Sequence, residues 1–142
     1  MRFDLHPDLL RDTHPVTSWP LCDIRIMDDA TYPWFVLVPR RADIRDTIDL
    51  DPADHARLWR ESAAFSRAAM EAFAGEKLNV AALGNMTPQL HVHHVVRYAT
   101  DPAWPGPIWG KVPMAPYSEA ALEAAISRLA PHLEEARAAL DT

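Results

Sequence analysis

The stretch "PQLHVHHVVRY", Pro88 to Tyr98, decides how this chain is read. It sets three of the seven histidines within four positions, among β-branched residues that favour extended backbone. In a strand, successive side chains point to opposite faces. Gln89, His91, His93, Val95 and Arg97 then share one side, and Leu90, Val92, His94 and Val96 the other. One face carries an amide and two imidazoles at two-residue spacing, while the other is apolar apart from His94. If helices cover the apolar face, the polar trio faces a cleft.

Three chemistries fit that arrangement. His91 and His93 have a spacing suited to two metal ligands on one strand, with a carboxylate from elsewhere completing a zinc or iron site. His6, His14, His55 and His132 fall in helical or terminal segments and form no obvious partner motif. Alternatively, a neutral imidazole nitrogen attacks an electrophilic phosphorus while flanking polar groups hold the phosphate oxygens. Gln89, His91, His93 and the preceding loop "LGNMTP" supply a nucleophile, neighbouring donors and backbone N–H groups for this. The third reading is histidines satisfied within a core or a subunit interface.

Working outward, "KLNVAAL" reads as a strand and "GNMTP" as a tight loop leading into the histidine strand. Further back, "LCDIRIM", Leu21 to Met27, alternates between the two parities, "DDATYP" supplies turn residues, and "WFVLVP", Trp34 to Pro39, is a short run closed by proline. These two segments are predicted to form a hairpin. Asp51 followed by Pro52 marks a helix start, and Leu58, Phe65, Ala69 and Phe73 recur at helical spacing, with Arg60, Glu61, Arg67 and Glu71 elsewhere around the wheel. Gly75 is read as the helix end. Leu5 to Leu10 predict a helical turn ended by "THPVTSWP". A last helical region runs from Ser118 with Leu122, Ile126, Leu129, Leu133 and Leu140 on one side, and Pro131 is expected to kink or divide it. Strand, strand, helix, strand, strand, helix is the order of an α+β fold, with an antiparallel sheet and helices on one face.

A length of 142 residues suits one domain. Fourteen basic against twenty acidic residues, a net charge of −6 and no Lys/Arg run argue against a polymeric nucleic acid as partner. No stretch approaches the roughly 20 apolar residues of a membrane span. The single cysteine, Cys22, cannot form an intrachain disulfide, and "MRFDLHPDLL" lacks the pattern of a secretion signal, so a cytoplasmic location is expected. Cys22 reads as a small buried hydrophobe rather than a nucleophile.

"QLHVHHVVR" resembles the signature of the histidine triad superfamily, His-x-His-x-His followed by apolar residues, with Gln89 at the first triad position, His91 at the second and His93 at the third. The resemblance extends to the hairpin "IMDDATYPWFVLVPRR", to "LNVAALGN" before the triad and to the tail "DPAWPGPIWG", which is similar to that of a small bacterial subgroup carrying the same Gln-for-His change. It covers about residues 20 to 111. It implies a single histidine-triad-like domain over 1–142, with about five antiparallel strands and a C-terminal helical region at about 118–140.

By the same resemblance the protein is a nucleotide hydrolase or nucleotidyl transferase, acting on a phosphoanhydride or phosphoramidate of a nucleotide or dinucleotide through a nucleotidyl-His91 intermediate. His93 falls where the family contacts phosphate oxygens. Asp28, with Asp29 as the fallback, falls where an acidic or amide residue binds ribose hydroxyls. Asn85 and Gly84 occupy the phosphate-loop place, and Asn79 a bracing position. Family members pair as homodimers through helix and edge strand, so a homodimer is implied. No cofactor or metal is implied. Two departures stand out: Gln89 cannot carry a proton between groups, and Trp34 replaces a histidine found in many members. Trp104 and Trp109 either cap the cleft or seal a subunit contact. A nucleotide-binding module with little catalysis, and a metal-dependent enzyme using His91 and His93, remain as alternatives.

Overall fold

A computed structural model describes residues 2–141. Along the chain run α1 (Pro7–Asp12), β1 (Thr13–Ser18), β2 (Cys22–Met27), β3 (Trp34–Pro39), α2 (Pro52–Ala72), β4 (Lys77–Ala81), β5 (Val92–Arg97) and α3 (Glu119–Leu140). The five strands form one antiparallel sheet in the order β1-β2-β3-β5-β4. The predicted hairpin of β2 with β3 is present, and β4 pairs antiparallel with the histidine strand β5.

The strand that the sequence reading did not name is β1. "THPVTSWP" holds two prolines, which cannot donate to a ladder, and was expected only to end a helical turn. Its segment Thr13–Ser18 pairs instead with β2 at the edge of the sheet, where a proline is tolerated, and the register slips between Pro15 and Thr17.

The two long helices form where their end signals predict. Asp51 accepts the N–H of Asp54 at 2.8 Å with Pro52 in the first turn of α2, and Ser118 accepts the N–H of Ala121 at 3.1 Å to cap α3. Both pack on one face of the sheet, burying Leu58, Phe65, Ala69, Leu129 and Leu133 against Ile24, Ile26, Phe35, Leu37, Val92 and Val96. Pro131 does not divide α3. The helix passes through it with one backbone bond missing.

Gly75 stands three residues beyond the last residue of α2, and the left-handed residue there is Ala74, with φ 48°. The glycine is needed for a different reason: a Cβ at 75 would lie 2.5 Å from Val96 Cγ1 and 2.6 Å from Met70 Sδ. Its bare backbone lets the helix end close on β5.

Glu61, which the wheel sets off the apolar stripe of α2, is 0% exposed. Its carboxylate accepts the N–H groups of Leu21 and Cys22 at 3.0 and 2.9 Å and pairs with Arg57 Nε at 2.7 Å. A buried carboxylate is tolerated when each oxygen is satisfied, and here it satisfies the backbone at the entry to β2. The opposite face of the sheet is only partly roofed. Leu9, with Phe3 and Leu5, covers Val36 and Val38 near one end, and the segment carrying Ala103, Ile108 and Trp109 covers Trp34 and Val95 near the other.

Candidate functional site

His91 and His93 lie on the partly roofed face, between these two covers. β5 begins only at Val92, so Gln89 and His91 precede the ladder, yet the alternation holds through them. Leu90, Val92 and Val96 enter the helix-side core, whereas Val95 packs with Trp34 on the other face. The rings of His91 and His93 stand 4.9 Å apart, edge to face, on that same side. His94 points the other way. It is fully buried against Phe65, its Nδ1 bonds the carbonyl of Val92 at 2.9 Å, and its Nε2 lies 2.7 Å from the Ser62 hydroxyl.

The hydrogen bonds of the two facing imidazoles assign their tautomers. The carbonyl of Gln89 can only accept, so the 2.7 Å contact to His91 Nδ1 places a proton on that nitrogen and leaves the lone pair on Nε2. The indole Nε1 of Trp34 can only donate, and it meets His93 Nδ1 at 2.9 Å. The proton of neutral His93 is therefore on its Nε2. Burial lowers the pKa of His91, an effect that His6 adds to and the Gln89 carbonyl opposes. Burial, followed by the neighbouring His91 and His94, lowers His93 to about 3. The pair is thus neutral at ordinary pH, with one bare nitrogen and one N–H. Nothing local in the sequence links Trp34, 59 residues away, to the His93 tautomer.

Gln89 does not join the imidazoles as a free polar group. Its Oε1 accepts the N–H of His6 at 2.9 Å, and its Nε2 donates to the carbonyl of Asp4 at 2.8 Å. Thr87 adds a bond to Asp8 at 2.9 Å, while His6 Nδ1 accepts the N–H of Asp8 and caps α1. Gln89 thus latches the N-terminal segment beside the site, a correction to its reading as part of an open polar face. With Trp109 against His93 at 5.3 Å between centroids, the enclosure leaves His91 and His93 only 8% and 5% exposed.

Asp28 follows β2 in phase with Ile24 and Ile26, whose side chains lie on the helix side, so the register does not set it in the histidine row. Its Oδ1 receives both the N–H of Tyr117 and His14 Nε2, each at 3.0 Å, and no described residue bonds its Oδ2. Burial raises its pKa, but the Tyr117 N–H and His14 outweigh that, and the net shift is downward. Asp29 is buried and committed to the N–H groups of Thr31 and Ala115. Asn85 is exposed, with no hydrogen bond to a described residue, beside Gly84 at φ 72°. Asn79 accepts from Arg97 Nη1 at 2.8 Å, and Arg97 in turn grips Asp101 at 2.7 and 3.0 Å and the carbonyl of Gly106 at 2.9 Å. Asn79 thereby braces the loop that carries Trp109. Trp104 lies over the Arg97 guanidinium at 5.8 Å.

Cys22 is buried, and burial followed by the Glu61 charge pushes its thiol pKa well up, which makes a thiolate nucleophile unfavourable. Among the described residues no group of three or more His, Cys, Asp or Glu is placed to hold a metal ion. No helix among them is long and apolar enough to cross a membrane.

An open five-stranded antiparallel sheet presenting two alternate-position imidazoles from a central strand defines a histidine-triad-like architecture. The HIT domain model matches residues 11–100, and the chain belongs to that family. A histidine triad protein from Marinobacter aquaeolei VT8 superposes with a TM-score of 0.92 at 50% identity, over 95% of this chain and 98% of that one. Histidine triad proteins from Bradyrhizobium japonicum and Sinorhizobium meliloti 1021 follow, at TM-scores of 0.91 and 0.90 and identities of 41% and 39%. The first covers 93% of this chain and 98% of its own, the second 92% and 96%. No protein of curated function matches the chain.

Proposed function

We propose that this protein binds a purine nucleotide or dinucleotide and hydrolyses a phosphoanhydride or phosphoramidate, or transfers the nucleotidyl group, through His91. The observation that carries the reading is the complementary tautomer pair. The bare Nε2 of His91 attacks phosphorus, the bond from phosphorus to the leaving oxygen or nitrogen breaks, and the leaving group carries away the bonding pair and takes its proton from solvent water. The Nε2–H of His93 donates to a non-bridging phosphate oxygen as charge gathers there. Water or another acceptor then attacks the nucleotidyl-imidazole, and the N–P bond breaks to restore His91.

Around that step, Asn85 and the backbone at Gly84 supply further phosphate contacts, and Asp28, set past the end of β2 and outside the histidine row, offers Oδ2 to one ribose hydroxyl that reaches the strand end. The unpaired outer strand β4, with Val80 exposed, serves as the edge on which two copies join as a homodimer. Because both imidazoles are nearly covered, substrate entry requires the N-terminal segment to move aside.

The second reading is a nucleotide-binding module with little turnover, favoured by the Gln89 amide being engaged at both Oε1 and Nε2 and unable to carry a proton. Incubation with a labelled nucleoside phosphoramidate or diadenosine polyphosphate separates the readings. Product that disappears in His91→Ala and is insensitive to chelator supports the proposal. Binding without product supports the module, and chelator-sensitive product supports a metal-dependent enzyme.

A further inference from the structure

Arg25 is a charged side chain on the histidine face without a carboxylate partner. It is 9% exposed, and no described acidic group lies within ion-pair distance of its guanidinium. Its Nε donates to the Thr13 hydroxyl at 2.6 Å and its Nη2 to the Thr13 carbonyl at 3.3 Å. Both acceptors are neutral, and Thr13 Oγ1 is held in place by donating to the carbonyl of Leu9 at 2.6 Å. The nearest acid along the strand on that face, Asp23, is occupied by Ser18 and Arg40. Nη1 makes no hydrogen bond to a described residue. A largely covered cation with neutral partners, and with an Nη1 that still reaches solvent, favours an anion, because even partial burial of a charge without a counter-charge is costly.

The sheet register fixes where that anion would sit relative to the site. Arg25 pairs with Val36, and Val36 pairs with His93, so the three stand in one row across β2, β3 and β5 with their side chains on the same face. Two strand spacings put the Arg25 and His93 backbones about 10 Å apart. Val36, between them, offers an apolar floor beneath Leu9. A ligand anchored by one phosphate at the imidazoles and running along this row, with the N-terminal roof displaced, meets Arg25 with its far part.

We propose that Arg25 forms a second anion subsite, selecting nucleotides that carry an additional phosphate on the ribose over those with the reacting phosphate alone. This rests on the nucleotide reading above and adds to it the class of substrate. Guanidinium is suited to the role, since its planar fork gives paired, charge-assisted bonds to phosphate oxygens that an ammonium cannot match.

The test is calorimetric titration of the full chain with adenosine 5′-monophosphate, adenosine 2′,5′-bisphosphate and adenosine 3′,5′-bisphosphate, for wild type, Arg25→Met and Arg25→Lys. At least one bisphosphate should bind wild type about tenfold or more tightly than the monophosphate. Arg25→Met should bring that ratio near one while leaving monophosphate affinity within about twofold, and Arg25→Lys should keep part of the preference. A wild type that binds all three equally overturns the subsite without any variant being made. So does a folded Arg25→Met that keeps the ratio or weakens all three ligands alike, because Arg25 is then only a latch for β1. Wild type that binds none of the three overturns the nucleotide reading itself, and the subsite with it.

Discussion

The alternation of the histidine strand makes a quantitative claim about His94. Its ring is fully buried on the helix side, and burial lowers its pKa from 6.5 to about 4 despite the Val92 carbonyl, which favours the charged form. The unfolded chain therefore accepts a proton on this ring as pH falls below 6.5, and the folded chain refuses it until about pH 4. A group with a depressed folded pKa contributes its full stability above the unfolded value and loses it as pH falls toward the folded one. At about 1.4 kcal/mol per pH unit, His94 alone should remove about 2 kcal/mol of stability between pH 7 and pH 5, and about 3 kcal/mol by pH 4. His94→Gln keeps a donor and an acceptor for Val92 and Ser62 but does not titrate. Urea unfolding at pH 7 and pH 5 should show the variant losing about 2 kcal/mol less than wild type between the two conditions. Its turnover per folded molecule at pH 7 should stay within a few-fold of wild type, whereas His93→Ala weakens phosphate binding. An unchanged pH dependence of stability in His94→Gln, or an activity loss matching that of His93→Ala, would refute the assignment of the two rings to opposite faces.

Because His91 and His93 are both held below the ordinary histidine pKa, kcat/KM should stay flat from pH 8 down to 6.5 and fall only in more acid solution, as His91 Nε2 takes up a proton. A pH–rate profile with an inflection above 7 would contradict this. Gln89→Ala removes two bonds to the N-terminal segment, worth about 2 kcal/mol of local opening, so the His6 amide should exchange with solvent roughly thirtyfold faster while the global unfolding midpoint moves little. Hydrogen exchange read by mass spectrometry or NMR checks it. Glu61→Gln leaves Arg57 without its carboxylate and turns an amide N–H₂ toward one of the two backbone donors at Leu21 and Cys22. It should cost about 3 kcal/mol in urea unfolding, and a loss below 1 kcal/mol would show the buried carboxylate to be dispensable.

Local patterns carried much of the fold. The period-two alternation from Gln89 to Arg97 placed His91 and His93 together and His94 opposite, and the Asp51-Pro52 start and Leu58-Phe65-Ala69 spacing located α2, because strand pleat and helical pitch are properties of the nearest few residues. β1 escaped because Pro15 within it and Pro20 just after it are breakers by composition, and a strand proline is tolerable only at an edge, a position that pairing alone decides. Glu61 escaped for the same kind of reason: a wheel sees a charge, while the N–H groups that donate to it belong to residues 39 and 40 positions away.

The sequence by itself determined which side chains share a face, the family, and the pair of imidazoles on which the proposed chemistry depends. Tertiary structure decided what those groups can do. Trp34, 59 residues from His93, sets its tautomer, and Gln89 reaches 83 residues back to His6 to hold the roof. The row that aligns Arg25 with His93 exists only through the pairing of three strands. Pleat follows from local backbone sterics, but a proton's position and a charge's partner depend on which distant segments the packed chain brings within hydrogen-bond reach.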